Sequence, residues 1–553
     1  MPRSPFLRML RRIAEDHREA DRLGVPVEQL QEQRFTRGDL LKRGGAVGAA
    51  AAIAGPAGVL ARSARAASAP RIAIVGGGIA GLSTALTLAD KGYASTVYEA
   101  HGSRLGGRMH SDSPYVSDGA NSFSGQVAEY CGEFIDSDHN TIITLAKRFG
   151  LPLDDVLAAQ PNHSGETYYF FGQYYSYDQA SSDFQPVHNT LQSQVSKTSY
   201  PTLWNLSTQA GRDLDNISVY QWIEQYVPGG HGSPFGRLLD AAYNEEYGAE
   251  TTDQSSLNII YLLGYKAKPG NFQIYGASDE RFHIRGGNQQ LPETIAAYLQ
   301  STGLVQIVQT ARMNTIALNR DNTVSLWFDG STTPVTCDHA VLCMSFSVLR
   351  TLDYSKAGFD QRKQTAVTQL GSGRNAKLQL QFDSRLWNQS GPWGISNGDV
   401  YTDLGFQNVW DVTRAQPGTN GILVNYTGGN VAGAFKPSTP YSNASSNTQV
   451  TTYAKAFLKN LEKVFPGITK LWNGKATLST PFLDPNLLCS YAYWKVGQYQ
   501  SFSGYEKAPM PGAAGPIHFA GEHCSQDFQG YMEGGASEGV RAANEIVSLI
   551  TGK

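Results

Sequence analysis

The sequence has no CxxC pair, no histidine-paired metal spacing, no run of one charge and no uninterrupted apolar stretch of membrane-spanning length. Its five cysteines, Cys131, Cys337, Cys343, Cys489 and Cys524, are an odd number scattered through 553 residues. A disulfide framework and a cysteine-ligated metal are therefore excluded as organising principles, and the thiols read as reduced and mostly buried. The formal net charge of −3 is spread along the chain. That removes the basic face nucleic acid requires and leaves small-molecule chemistry. No internal repeat is apparent. What is present is 41% hydrophobic residues and 58 glycines in a 60.0 kDa chain, enough for a large core divided between more than one domain.

The first 69 residues form an extension. Residues 36–69 read "TRGDLLKRGGAVGAAAAIAGPAGVLARSARAASA": basic residues, a weakly apolar stretch from Gly44 to Leu60, then Ala67-Ser68-Ala69. This is the layout of an export signal. Pro56 and the glycines make it too interrupted for a transmembrane helix. It resembles a twin-arginine signal, with Gly38 where the second arginine should stand. The expected location is periplasmic or secreted, and cytoplasmic if the segment is retained. The alternative is an alanine-rich linker after an N-terminal helix.

Directly after it comes "RIAIVGGGIAGLSTALTLADKGYASTVYEA". The apolar run Ile72 to Val75 suits a buried parallel strand, and Gly76, Gly78 and Gly81 follow at GxGxxG spacing before a helical pattern from Leu82 to Lys91. The three glycines serve in turn a tight turn, an approach to a pyrophosphate, and close helix–strand packing. A second strand, Ala94 to Tyr98, ends at Glu99, 23 residues past Gly76, where a carboxylate can accept both ribose hydroxyls. This predicts a dinucleotide site without separating NAD from FAD.

Two further stretches separate them. "RLGGRMH", Arg104 to His110, adds a second glycine pair and Arg108, and "PIHFAGEHCSQDFQGYMEGGASEGVRAANEIV", residues 516–547, gives a strand, a Gly-Glu turn, a loop and a helix. Together with GxGxxG and Glu99, these resemble the flavin amine oxidase family, which includes monoamine oxidases, polyamine oxidases and L-amino-acid oxidases. The resemblance implies FAD and an α/β fold: a Rossmann-like FAD-binding domain assembled from discontinuous segments, with an interleaved α+β substrate domain. The FAD domain would take residues 70–150, 281–350 and 481–553. The substrate domain would take 151–280, read as helical, and 351–480, read as sheet. Beyond Gly76, Gly78, Gly81 and Glu99, it implies cofactor contacts at Gly107, Arg108, Gly132, Met313, Gly521, Glu522 and Met532.

Hydride abstraction from the carbon bearing a neutral amine needs no metal and no strong nucleophile, so the protein's work is orientation. In "GRNAKLQLQFDSRLW", Lys377 matches the family lysine that reaches the flavin N5 through a water; a lysine snorkelling from an edge strand is the plainer alternative. Tyr531 matches one wall of the family's aromatic cage. The other wall is expected at Tyr493 in "CSYAYWKVGQY", with Trp494 beside it, set against ordinary aromatic core packing. Cys489 lies too early to match the family's flavin-linking cysteine, so noncovalent FAD is expected.

Many L-amino-acid oxidases clamp the substrate carboxylate with an arginine at the place where this chain has Phe134. Glu133 beside it, with Asp527 near the cage, favours a cationic substrate such as arginine, lysine or a polyamine. The whole pattern most resembles bacterial L-amino-acid oxidases for basic amino acids, with a small-molecule substrate and O2 as partners, no nucleic acid, no membrane span, and a homodimer left open. The alternatives are a primary amine or polyamine oxidase, a non-catalytic FAD-binding protein, and a desaturase-like flavoenzyme.

Overall fold

The computed structural model describes residues 69–198 and 200–552. The segment read as an export signal lies, but for Ala69, outside them. Residues from Pro70 onward form one unit. At its base is a five-stranded sheet in the order Ile517–Phe519, His339–Leu342, Ile72–Val75, Ser95–Tyr98, Val305–Val308, with every pairing parallel. The run IAIV is buried along its whole length, as a strand covered on both faces must be. Helix Ile79–Asp90 follows on one face, and the C-terminal helix Met532–Thr551 lies against it. The contact is close because both partners are small: a Cβ on Gly539 would be driven into the Ala80 carbonyl oxygen, and one on Gly535 would meet Ile79 Cγ2 at 2.9 Å. On the other face, Tyr98 stacks on Phe328 with ring centroids 4.6 Å apart. That joins the parallel sheet to a smaller four-stranded one built around Met313–Leu318 and Val324–Phe328.

A second sheet has eight strands: Tyr441–Asn443, Trp472–Ser479, Asn375–Phe382, Gly421–Gly428, Asn408–Asp411, Ser396–Thr402, Gly165–Phe170 and Gln173–Tyr175. Its last two strands come from the region expected to be helical, which corrects that expectation. The aromatic run "YYFFGQYY" folds as a hairpin about Phe171 and Gly172, both with positive φ (53° and 76°), the backbone a tight two-residue connection requires. It joins the larger sheet by parallel pairing with Ser396–Thr402. Helices Tyr177–Thr198, Pro234–Tyr247 and Ser256–Leu263 supply the rest of that region. In turn, the region expected to be sheet also carries helix Thr448–Val464. Its Val450, Phe457 and Leu461 pack on Leu378, Leu380 and Leu423.

The five cysteines stand as free thiols, three buried and two half-buried. Among the described residues no helix is long and apolar enough to cross a membrane.

Candidate active site

The predicted cofactor contacts converge beyond the C-terminal ends of the parallel strands, where open α/β sheets bind ligands. Gly76 turns the chain with φ of 111°, against the Cys343 carbonyl. A Cβ on Gly81 would be driven into the Gly76 carbonyl oxygen, so only glycine seats the helix on the turn. Gly78, by contrast, has nothing nearer its Cβ direction than Gly106 and Gly107 at 3.9 Å. It caps helix Ile79–Asp90 without a side-chain acceptor, leaving that helix's first N–H groups for an anion. Glu99 ends the next strand, accepting from the Gly77 N–H at 2.7 Å and the His101 N–H at 2.7 Å.

Arg108 donates through Nη1 to the Ser490 carbonyl at 3.0 Å and to Glu522 Oε1 at 2.8 Å. Glu522 also accepts from the backbone N–H groups of Ala492 (3.2 Å) and Gly530 (2.9 Å), so one carboxylate ties three distant segments. Gly521, with φ of 144°, leaves no room for a Cβ beside the His523 ring. Gly132 donates to the Arg108 carbonyl at 2.9 Å and would press a Cβ onto Met532 Sδ at 3.1 Å, at the start of the C-terminal helix. Met313 is buried opposite Phe328. The cradle fits a dinucleotide with a flavin head. Its floor is the open glycine face, and the buried amide of Gln529, one residue before Gly530, has neither oxygen nor nitrogen matched by a protein group among the described residues, an unmet hydrogen-bonding capacity that a polar ligand can fill.

Next to this cradle lies a group of aromatic and charged side chains. Lys377, on strand Asn375–Phe382, donates to Glu133 Oε2 at 2.7 Å, and both side chains are about nine-tenths buried. Trp410 Nε1 donates to the other Glu133 oxygen at 3.0 Å. The lysine is thus not a snorkelling edge residue, and Glu133 is not the free carboxylate expected to meet a substrate cation. Both its oxygens are committed within the protein, because a buried ammonium requires a partner. Phe134 packs between Trp410 (5.5 Å between centroids) and the Arg414 guanidinium (5.5 Å). Asp527 accepts from the Tyr200 hydroxyl at 3.2 Å.

Tyr531 donates to Glu246 Oε1 at 3.2 Å, and its ring lies 5.3 Å from His139. Tyr493 and Trp494, expected at the second wall, are both engaged within the protein. Tyr493 lies over Gly371 and hydrogen-bonds to Asp253, and Trp494 packs on Tyr499 and Phe502 in the core. Tyr491 instead stands beside Gly530. A Cβ there would be 3.7 Å from its ring, and its hydroxyl pairs with Tyr426 at 2.8 Å and donates to the Glu245 carbonyl at 3.1 Å. The cause is backbone pairing: Gly371 and Gly373 fix residues 491–493 as their antiparallel partners, a register the local sequence does not reveal.

Four acids missed by sequence reasoning form a connected group between Tyr531 and Arg414. Glu246 closes helix Pro234–Tyr247, which Ser233 caps at its N-terminus and Gly248 ends in the left-handed region. Glu280 sits in a loop stitched to residues 135–137. Ile135 and Phe282 exchange backbone hydrogen bonds at 2.7 and 2.9 Å, and the Glu280 N–H donates to Asp136 Oδ1 at 3.1 Å. Burial pushes the Glu280 carboxyl well above the usual range, with Glu246, Asp136 and Asp399 adding and Arg414 opposing. Burial likewise raises Glu166 to about 7 and raises Asp399, whose Oδ2 faces Arg414 Nη1 at 3.3 Å. Glu246, Glu280 and Asp399 nonetheless keep accessible area and Glu166 is exposed, the combination expected of groups walling an internal space. The one readable signal was a pair of acids, Glu245-Glu246, in a helix's last turn, where carboxylates are disfavoured.

Residues 79–547 match the family model of flavin-containing amine oxidoreductases. The chain is 23% identical over 498 residues to an L-amino-acid oxidase of Siganus canaliculatus, covering 86% of this chain and 85% of that protein. It is 20% identical over 505 residues to polyamine oxidase 1 of Zea mays, covering 87% and 90%. Among solved structures, cyclohexylamine oxidase from Brevibacterium oxydans superposes with a TM-score of 0.71 at 20% identity. A putrescine oxidase bound to putrescine superposes with 0.70 at 18%. Each covers 87% of this chain and 99% of the other.

Proposed function

Starting from the fact that the chain belongs to the flavin-containing amine oxidoreductases and takes FAD as cofactor, we propose that it oxidatively deaminates an L-amino acid with a basic side chain, arginine or lysine favoured, to the 2-oxo acid, ammonia and H2O2, with water hydrolysing the released imine and O2 as the final acceptor. FAD, when bound, accepts the hydride that leaves the α-carbon. The protein's own residues supply the rest. Gly76, Gly78, Gly81, Gly107 and Glu99 would hold the dinucleotide, and Arg108 and Glu522 fix the segments that flank it. Tyr491 and Tyr531 confine the amine between aromatic faces, which suit it both as an incoming cation and as a neutral lone pair at reaction. Lys377, held by Glu133, keeps a fixed donor at the site.

The observation that carries the substrate reading is the acidic lining formed by Glu246, Glu280, Asp399 and Glu166, offset among the described residues by the Arg414 guanidinium. Such a lining favours a ligand with a second cation beyond the amine that reacts. A primary amine or polyamine oxidase is the second reading, supported by Phe134 in place of a carboxylate clamp. We include export in the proposal on the strength of residues 36–69, with cytoplasmic residence as the alternative if that segment is retained.

The deciding experiment measures H2O2 release by the holoenzyme on L-amino acids and on agmatine, putrescine and spermidine. Turnover of L-arginine or L-lysine with the decarboxylated amines inert is expected. Activity on the decarboxylated amines alone makes it an amine oxidase, and absence of flavin bleaching by every amine under anaerobic conditions removes catalysis altogether.

A further inference from the structure

Glu280 is the least explained carboxylate in the group. Among the described residues its side chain has no hydrogen-bond donor and no ion-pair partner, although its N–H is used by Asp136. Its backbone is held at φ of 44°, in the left-handed region that glycine favours, which costs about 1 kcal/mol or more in a residue with a side chain. The loop is over-determined around it: Ser278 donates to Asp136 Oδ2 at 2.6 Å, the Ser137 N–H donates to Asp279 at 2.8 Å, and Ile135 and Phe282 pair on either side. The scaffold therefore fixes a strained residue whose carboxylate meets no donor among the described residues. Two observations outside that loop lead to the same place. Asp399 Oδ1 is shielded from solvent and also lacks a donor among them. Glu246, on the cage side, ends a helix whose C-terminal dipole adds negative potential. Glu280 thus has two further acids, Glu246 and Asp399, and the cation Arg414 around it, and a cation arriving among them would take the place of the proton that burial holds on its carboxyl.

We infer that Glu280 receives the far cation of the substrate, the guanidinium of arginine or ammonium of lysine, with Glu246 and Asp399 completing the receptor and Arg414 as their standing counter-charge. This rests on the reading of the protein as an oxidase of basic amino acids, and deepens it by naming the residue that sets the preference. The reacting end then lies between Tyr491 and Tyr531, and the side chain spans from that cage to Glu280. A guanidinium there can take the carboxylate in two parallel hydrogen bonds, which a neutral urea group of the same shape cannot match.

The test compares L-arginine with L-citrulline, its uncharged isostere, in the wild-type holoenzyme and in Glu280→Gln. Loss of one charge-assisted hydrogen bond should lower the arginine-over-citrulline ratio of kcat/KM by about 30-fold, chiefly through KM, with citrulline changed less than about 3-fold. Glu280→Asp, which keeps the charge, should retain most of the preference and serves as the second variant if the amide variant fails to hold flavin. An unchanged ratio in Glu280→Gln overturns the assignment while leaving the basic-amino-acid reading intact. If the wild type oxidises only decarboxylated amines, that reading fails instead, and the same ratio taken on agmatine against N-carbamoylputrescine decides Glu280 by the same criterion.

Discussion

A lysine and a glutamate buried together, as Lys377 and Glu133 are, constrain each other more than either constrains the fold. Removing only the carboxylate strands an ammonium beneath Trp410, which should destabilise by about 3 kcal/mol. Removing both charges should cost less. Thermal melts of Glu133→Gln and of the double variant Glu133→Gln/Lys377→Met should therefore place the single variant lower. The opposite order would mean that the pair is not formed in the folded protein. The same geometry predicts that Glu133→Gln harms basic and neutral substrates alike, unlike Glu280→Gln. At this scale the sequence was informative wherever a residue type was improbable unless paired or bound. Glu99 at a strand end could be singled out by its place and Lys377 by its match to the family lysine, whereas Glu280 lies in a loop with no motif and owes its surroundings to residues far along the chain, at 136, 246 and 399.

Between elements, the packing of helix Ile79–Asp90 on helix Met532–Thr551 allows a sharper contrast. A Cβ at Gly539 meets the Ala80 carbonyl, which cannot yield, whereas one at Gly535 meets the Ile79 Cγ2 methyl at 2.9 Å, a side-chain atom that a small rotation about Cα–Cβ can move. Gly539→Ala should cost about 3 kcal/mol and lower flavin retention. Gly535→Ala should be close to neutral, since alanine's better helix propensity offsets the adjustment by up to about 1 kcal/mol. Comparable losses in both, read from melting temperature and the flavin-to-protein absorbance ratio, would show that the helices do not approach this closely. The Rossmann-like strand–turn–helix was legible because strand, glycine turn and helix are consecutive. The hairpin of residues 165–175 was not, because its pairing partner, Ser396–Thr402, is far away and its aromatic run fits either period. The choice between Tyr491 and Tyr493 was not legible for the same reason, the register of that stretch being set by pairing with Gly371–Gly373.

Taken as a whole, the molecule carries buried carboxyls that ordinary folding would avoid. Glu129 is 3% exposed, accepts from the Ser111 hydroxyl at 2.6 Å and the Asn288 N–H at 2.8 Å, and is pushed by burial to about 8 from an ordinary 4.5. The folded state therefore holds a proton that the unfolded chain has released. Its contribution to stability is full below pH 4.5 and is lost as the pH rises from there through about 8. Denaturation of the holoenzyme should show stability falling across that window, with a slope of up to about 1.4 kcal/mol per pH unit from this group. Glu129→Gln should flatten it, and an equal slope in wild type and variant would mean that Glu129 does not carry the proton.

The parallel sheet draws its five strands from residues 72, 95, 305, 339 and 517 onward. On a ribosome the glycine turn and Glu99 emerge hundreds of residues before Ile517–Phe519, which must slot in beside His339–Leu342 before Gly521, Glu522 and Met532 can reach their places. Through most of synthesis the nascent chain presents an unfinished apolar sheet edge, the condition in which chains aggregate and chaperones bind. Capture of the cofactor should therefore come late, and a yellow colour should mark chains whose last strand has docked.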